Sequence, residues 1–359
     1  MRYNRRMEPR VGVVGAGWSG FAPTTEGVSY KELMFEAARV AYADVGVNPR
    51  TDIDSFVCAS EDFEEGTSIF DEYVPDQLGA VQRPVQTVSS DGLFALATAV
   101  MLIRSGLARR VTVEAHSKAS EVVSHGRVER MALDPVLNRP LGIPAAAVAG
   151  LEMRRFLHVS GWSEDDCAAL AVRNRQHARD NARASYADLV DASPTFEPLT
   201  VDQTARGVDG CVVLVLAAEE VAGDDAVWVD GVGWNQDAPS LESRDWDRAA
   251  AAMRAAEMAY ARAGLAPAAV DLAEVDDTFA FKQLQHLDAL GLQSLDPARV
   301  NRSGGALGEG YLHEANGLAR ALAAVEHLRE GDGTTAVVQS WRGVPSSSAA
   351  VAVLRTGAA

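Results

Sequence analysis

Apolar and polar positions repeat along the chain in a way that predicts its elements. Ala37–Pro49, AARVAYADVGVNP, has apolar residues at helical spacing, stops at Gly46 and Pro49, and leads into the apolar run Ile53–Ala59, a predicted strand. The pattern returns in Ala255–Pro267, AAEMAYARAGLAP, which leads into Leu272–Val275. Tyr42 falls on Tyr260, Gly46 on Gly264 and Pro49 on Pro267 at one offset. A second pair follows in the same order. Gly92–Val113, GLFALATAVMLIRSGLARRVTV, aligns without a gap with Gly317–Val338, GLARALAAVEHLREGDGTTAVV. Arg104 meets Arg329 and Gly106 meets Gly331, and each segment reads as a helix, a glycine stop and a β-branched strand. The chain is therefore read as two copies of a βαβαβ-type α/β unit.

Between the copies lies Ser117–Gln203, rich in Arg, Ala and Asp. It predicts a helix capped at Ser163 and running through Ala171, then a basic helix near Arg173–Arg183. Its own apolar periodicity marks an insertion lying over the core, either a surface cap or a substrate lid. The expected division is 1–116 with 204–225 as an N-terminal half, 117–203 as the inserted domain, and 226–359 as a C-terminal half.

Composition narrows the function. The 359 residues are 47% hydrophobic and 23% charged, ample for a core. A formal charge of −17 argues against nucleic-acid binding and requires a local basic patch for any anionic ligand. No apolar run reaches eighteen residues, and the opening MRYNRRMEPR lacks a signal-peptide core, so a cytoplasmic protein with no membrane partner is expected. Cys58, Cys167 and Cys211 show neither CxxC nor Cys/His spacing, so no disulfide, metal or cofactor is expected. His125, His158, His177, His286 and His327 likewise lack ligand spacing and are read as structural.

Two motifs invite readings that their surroundings oppose. Gly15-Ala-Gly-Trp-Ser-Gly20 matches the dinucleotide fingerprint GxGxxG, but it runs into Phe21-Ala-Pro-Thr-Thr-Glu-Gly27. The next helix begins only near Ser29, capped by Glu32, so no helix N-terminus faces a pyrophosphate. The second copy also opens on a strand ending in Gly231-Val-Gly-Trp234, which favours a structural role for these glycines. Cys58 sits within a predicted strand, with no helix start to lower its pKa.

The duplication with a central insertion resembles the thiolase superfamily over nearly the whole chain. Val300-Asn-Arg-Ser-Gly-Gly-Ala-Leu-Gly-Glu-Gly310 resembles the glycine-rich VNPSGG segment of thiolases. Val275-Asp-Asp-Thr-Phe279 resembles their Asn-Glu-Ala-Phe or His-Asp-Ala-Phe block. Ala169–Asp180, followed by Asp209-Gly210, is similar to sterol carrier protein x and the archaeal members. The implied fold is the five-layered α-β-α-β-α thiolase fold. Three catalytic groups of that family are replaced. Ser89-Ser90-Asp91-Gly92 stands at the helix start that carries the acyl-accepting Cys, Gly310-Tyr311-Leu312 replaces Gly-His-Pro, and Ser340-Trp-Arg-Gly-Val-Pro-Ser346 replaces the Cys-x-Gly block.

Tyr311-Leu-His313-Glu-Ala-Asn316-Gly317 resembles the lipid-transfer-protein branch, thiolase-like aldolases that cleave CoA-activated steroid side chains. The resemblance implies retro-aldol cleavage of a β-hydroxyacyl-CoA without an acyl-enzyme, because such cleavage needs a base for the hydroxyl and an oxyanion site, not a nucleophile. Tyr311 is the expected proton-transfer residue, with His313 orienting it or binding the thioester oxygen. Asp276 is expected to position a water or polarise a hydroxyl. Ser89 and the N–H groups of Asp91 and Gly92 are expected oxyanion donors, with Gly304, Gly305 and Trp341 near the substrate. Two alternatives stand beside this: acyl transfer through Ser89, and a non-catalytic scaffold subunit. The relatives further imply a homodimer paired through Pro84–Val88 and a small OB-fold, zinc-ribbon partner.

Overall fold

The computed structural model describes residues 9–61, 70–122, 125–238, 240–343 and 347–357. Val344–Ser346 of the third replaced block and the His125 side chain lie outside the described residues. The first copy forms β1 (Val11–Ala22), α1 (Tyr30–Val45), β2 (Ser55–Ala59), β3 (Val85–Val88), α2 (Gly92–Arg104) and β4 (Arg110–Lys118). Helices α3 (Ala145–Ser160) and α4 (Glu164–Ala178) and the small hairpin β5 (Pro194–Phe196) and β6 (Leu199–Thr200) precede β7 (Asp209–Ala218). The second copy forms β8 (Val227–Gln236), α5 (Ala250–Ala263), β9 (Leu272–Val275), α6 (Ala280–Leu290) and α7 (Gly305–Glu309). It ends with α8 (Asn316–Arg329), β10 (Thr335–Arg342) and β11 (Ser348–Arg355).

The strands run β3-β2-β4-β7-β1-β8-β11-β10-β9. Strands β1 and β8 meet only at Gly12–Trp228 and Val13–Val227, so the array is two half-sheets joined at a narrow seam. A lone bridge from Ala273 to Val300 stands in the second half where β3 stands in the first.

The period-2 alternation of the strands separates the layers. In β7, Val212, Leu214 and Leu216 enter a central core, while Cys211, Val213, Val215 and Ala217 enter the core beneath α1. In β11, Ala350, Ala352 and Leu354 face the central core and Val351 and Val353 the core under α5. Helices α2 and α8 fill the central core between the half-sheets. The layers are thus α1, first sheet, α2 with α8, second sheet, α5: the thiolase arrangement. Among the described residues no helix is long and apolar enough to cross a membrane.

The GxGxxG look-alike is explained by close packing. A Cβ at Gly15 or Gly17 would lie 2.5 Å from the Ala41 carbonyl oxygen or 2.3 Å from that of Ala37, both on α1. Gly231 and Gly233 on β8 meet Ala259 and Ala255 of α5 in the same way, at 2.1 and 2.0 Å. The glycines let a helix backbone lie directly on a strand, and β1 continues through them to Ala22. The paired arginines also make reciprocal contacts. Arg104 on α2 donates to the carbonyls of Val229 and Asp230 in the second half, and Arg329 on α8 donates to that of Val14 in the first.

One expected break is missing. Ser163 and Asp166 form the capping box, but α4 runs unbroken from Glu164 to Ala178, so the two helices expected there are one. Ala171 is buried at its middle and neither Gly nor Pro interrupts it, so nothing stops the helix.

Candidate active site

A cavity of about 350 Å³ opens where the C-terminal ends of β3 and β10 meet the insertion and α6. Ser89, Tyr311, His313 and Trp341 line it. Val128, Met131, Ala145, Ala149 and Glu152, all from the stretch between β4 and β7, cover it. Four of the sequence-derived candidates therefore meet in one place.

Tyr311 follows Gly310, whose φ of 114° turns the chain out of α7. Its backbone is pinned on both sides: Tyr311 N–H donates to the Arg206 carbonyl at 2.8 Å, and Val208 N–H to the Tyr311 carbonyl at 3.1 Å. His313 has φ 47°, a left-handed value unusual for histidine, which brings its ring centre 4.7 Å from that of Tyr311. Arg342 Nη1 donates to the Tyr311 hydroxyl at 3.3 Å. Arg342 is itself held by Glu61 through two bonds of 2.9 Å and by Glu314. Burial pushes the Tyr311 phenol above its ordinary range against the opposing pull of Arg342. At neutral pH the cavity thus holds a phenol that accepts from a guanidinium and keeps its own proton to donate.

Ser89 lies exposed at the end of β3, just before α2. The nearest acid in sequence does not serve it. Asp91 is buried and caps α2, accepting from Leu93 N–H at 2.9 Å, Ser340 Oγ at 2.5 Å and Gly317 N–H at 2.8 Å at the start of α8. Burial pushes Asp91 up to about 6 despite these donors. A Cβ at Gly92 would lie 2.7 Å from that of Leu318, so this residue is packed against α8. Asp91 and Gly92 join the two central helices behind the cavity and do not line it.

Asp276 also stands behind the wall. Oδ1 accepts from Trp341 Nε1 at 2.7 Å and Thr278 N–H at 2.9 Å, and Oδ2 accepts from Asn316 Nδ2 at 2.5 Å. It sets the angle of Trp341, which does face the cavity, instead of presenting an oxygen there. Gly304 and Gly305, with φ of 100° and 62°, pack against Ala178 and Asp277. A Cβ at Gly305 would lie 2.2 Å from the Asp277 carboxylate, so this segment is a packed turn away from the cavity. His286 is buried with Nδ1 3.2 Å from the Asp276 carbonyl, and burial pushes it down to about 3.

Cys58, Cys167 and Cys211 are all buried. Burial pushes the Cys167 thiol up to about 12 and Cys211 well above its ordinary range, which removes the thiolate needed for attack. Among the described residues, His327, Glu330 and Asp332 form the one group with metal-ligand spacing. Asp332 is already paired with Arg302 at 2.9 Å, and the group does not line the cavity.

Arg342, Glu61, Lys282 and Glu152 line the cavity without having been singled out from sequence. Lys282 carried a usable signal: it is a charge inside the apolar stretch Phe279–Leu284, where a solvated lysine would not belong. Glu61 and Glu152 carried none, because their pairing is made by the fold.

The comparisons agree with this geometry. Residues 234–305 match the family described as thiolase C-terminal domain-like. An acetyl-CoA acetyltransferase of Methanothermobacter thermautotrophicus is 24% identical, covering 89% of this chain and 91% of its own. A steroid side-chain-cleaving aldolase of Thermomonospora curvata is 26% identical, covering 93% and 96%. The Ltp2-ChsH2(DUF35) aldolase structure superposes with a TM-score of 0.81 at 22% identity, covering 98% of this chain and 99% of that one. Its relatives are thus thiolase-like enzymes, acyltransferases and carbon–carbon lyases alike. The chain has the thiolase fold and is similar to the thiolase superfamily, resembling its sterol carrier protein x and lipid-transfer-protein branch.

Proposed function

We propose that this protein is a carbon–carbon lyase that cleaves a β-hydroxyacyl-CoA by a retro-aldol reaction, giving a ketone or aldehyde and a shorter acyl-CoA, without a covalent acyl-enzyme. One observation carries the reading: the cavity offers a guanidinium-bonded phenol, Tyr311 with Arg342, and Ser89 where an acyl-accepting thiol would stand. In cleavage the Cα–Cβ electron pair moves onto the thioester as an enolate while the β-hydroxyl gives up its proton. The phenolate of Tyr311, stabilised by Arg342, takes that proton, and the phenol then gives it to Cα of the enolate, which yields the shorter acyl-CoA and restores the phenolate. Ser89 and His313 supply donors for the thioester oxygen.

The steroid side-chain-cleaving aldolase among the relatives supports a bulky acyl group such as a steroid side chain as substrate. The Ltp2-ChsH2(DUF35) complex supports a small partner protein. A homodimer paired through β3 fits that strand's place at the sheet edge. Residues 117–203 are read as the cover of the substrate site. The test is cleavage itself: the chain, alone and with a co-expressed small partner, is incubated with steroid and simple β-hydroxyacyl-CoAs, and the carbonyl product is measured. Release of no ketone or aldehyde under any of these conditions sinks the reading.

Acyl transfer through Ser89 has weaker support, since the adjacent Asp91 is committed to the helix starts and to Ser340.

A further inference from the structure

The cavity wall carries one ion pair that the cleavage chemistry does not use. Glu152 on α3 and Lys282 on α6 both line the cavity, yet they are only 4% and 1% exposed. Lys282 Nζ donates to Glu152 Oε1 at 2.6 Å and to Gln285 Oε1 at 2.8 Å. Gln285 Nε2 also reaches Glu152 Oε1, at 3.4 Å. The other carboxylate oxygen, Glu152 Oε2, is buried and has no hydrogen-bond partner among the described residues. Ala145, Ala149, Phe279 and Trp341 line the cavity with it, and the Lys282 ammonium lies 5.3 Å from the Trp341 ring centre.

Such an arrangement is costly without a ligand. A buried ion pair is commonly no better for stability than two apolar side chains of similar volume. A buried acceptor without a donor costs about 1–3 kcal/mol, and more when it is charged. A carboxylate paired with an ammonium is a strong hydrogen-bond acceptor. The pair is therefore suited to receiving a donor from the ligand.

We propose that Glu152 Oε2 accepts a hydrogen bond from a hydroxyl group on the acyl part of the substrate, distinct from the reacting β-hydroxyl, while Lys282 and Gln285 hold the carboxylate in position. The substrate class is then an acyl-CoA whose acyl group is largely apolar but carries a second hydroxyl. This rests on reading the cavity as the acyl site. A site built to bond a hydroxyl discriminates strongly against analogues lacking it, whereas an apolar wall discriminates weakly.

The test is calorimetric binding of saturated C8, C10 and C12 acyl-CoAs against their ω-hydroxy and (ω−1)-hydroxy counterparts. None of these has a β-hydroxyl, so binding is read without turnover. At least one hydroxylated probe should bind about tenfold or more tightly than its parent. The double variant E152M/K282M removes both charges of the pair together and should fold, with that preference lost. The inference is overturned if no hydroxylated probe gains even threefold in the unmodified protein, a result that needs no variant. It is equally overturned if the preference survives in a folded double variant, or if no acyl-CoA binds at all. Cleavage of β-hydroxyacyl-CoA is assayed separately. Preference without cleavage sinks the lyase reading alone, and cleavage without preference sinks this inference alone.

Discussion

Replacing Tyr311 with Phe removes one oxygen and leaves the ring against His313, 4.7 Å between centres. The oxygen's one Arg342 contact is long, at 3.3 Å, and Arg342 keeps both bonds to Glu61 and its bond to Glu314. The stability cost should therefore stay near 1 kcal/mol or below. Catalysis should suffer far more, because loss of a positioned proton-transfer group costs about 10²–10⁴-fold, or roughly 3–5 kcal/mol of barrier. The assay is steady-state cleavage of a β-hydroxyacyl-CoA, with loss falling on kcat and KM nearly unchanged. The pH profile adds a second reading. Burial raises the Tyr311 phenol, so the folded protein holds the proton at neutral pH and the reactive phenolate is the minor form. The cleavage kcat/KM should then climb about tenfold per pH unit through the alkaline range, and Tyr311→Phe should flatten that climb. A variant retaining a third or more of the rate, or a profile that falls as pH rises, would refute the proton-transfer role.

Three further outcomes follow from the same geometry. Arg342→Lys cannot keep the two-pronged bond to Glu61 and the contact to Tyr311 together, so kcat should fall about tenfold or more while the melting temperature moves little. Ser89→Ala should lower kcat about tenfold or more through loss of an oxyanion donor, while intact-protein mass spectrometry of the unsubstituted protein after incubation with acyl-CoA should show no added acyl mass. Asp91 has its pKa raised from 3.8 to about 6, so the folded state binds its proton more tightly than the unfolded chain does. Its contribution to stability is full below about pH 4 and lost as pH rises toward 6, on the order of 3 kcal/mol. Urea midpoints of Asp91→Asn should accordingly decline less than those of the unsubstituted protein across that window.

Much of the scaffold was legible because duplication tests each assignment twice. Tyr42 and Tyr260, matched in sequence, donate to the carbonyls of Leu78 and Leu290 at 2.9 and 3.0 Å. Such pairs revealed the two halves before any layer was known. The length of α4 was not legible, since its middle reads as a change from acidic to basic composition while the helix continues. At the site, Tyr311, His313, Ser89 and Trp341 could be named because motif positions carry them. Asp276, Asp91 and Gly305 occupy motif positions too, but they face backbone amides, buried side-chain donors and packed neighbours. Sequence order says which residues approach the cavity; it does not say which side of the strand end or helix cap each one takes. Arg342 shows the converse, because its value comes from Glu61, far away in the chain.

The two halves also show where function has altered the repeat. Their scaffold positions remain alike: glycines under α1 and α5, and arginines crossing from α2 and α8 to the opposite sheet. Near the cavity they part. Asp91 corresponds to Asn316, and His116 to Trp341. The first-half pair His116 and Glu114 meets at 2.8 Å in a closed core stacked by Tyr30 and Phe70. Its second-half counterpart, Trp341 held by Asp276, faces the cavity. A symmetric scaffold offers two equivalent helix starts, and a single reaction site needs them to differ. Asp91 closes one by spending its carboxylate on both helices. The open side is then left to Tyr311, Arg342 and Trp341, so the chemistry to be tested gathers on the second-half side of the seam.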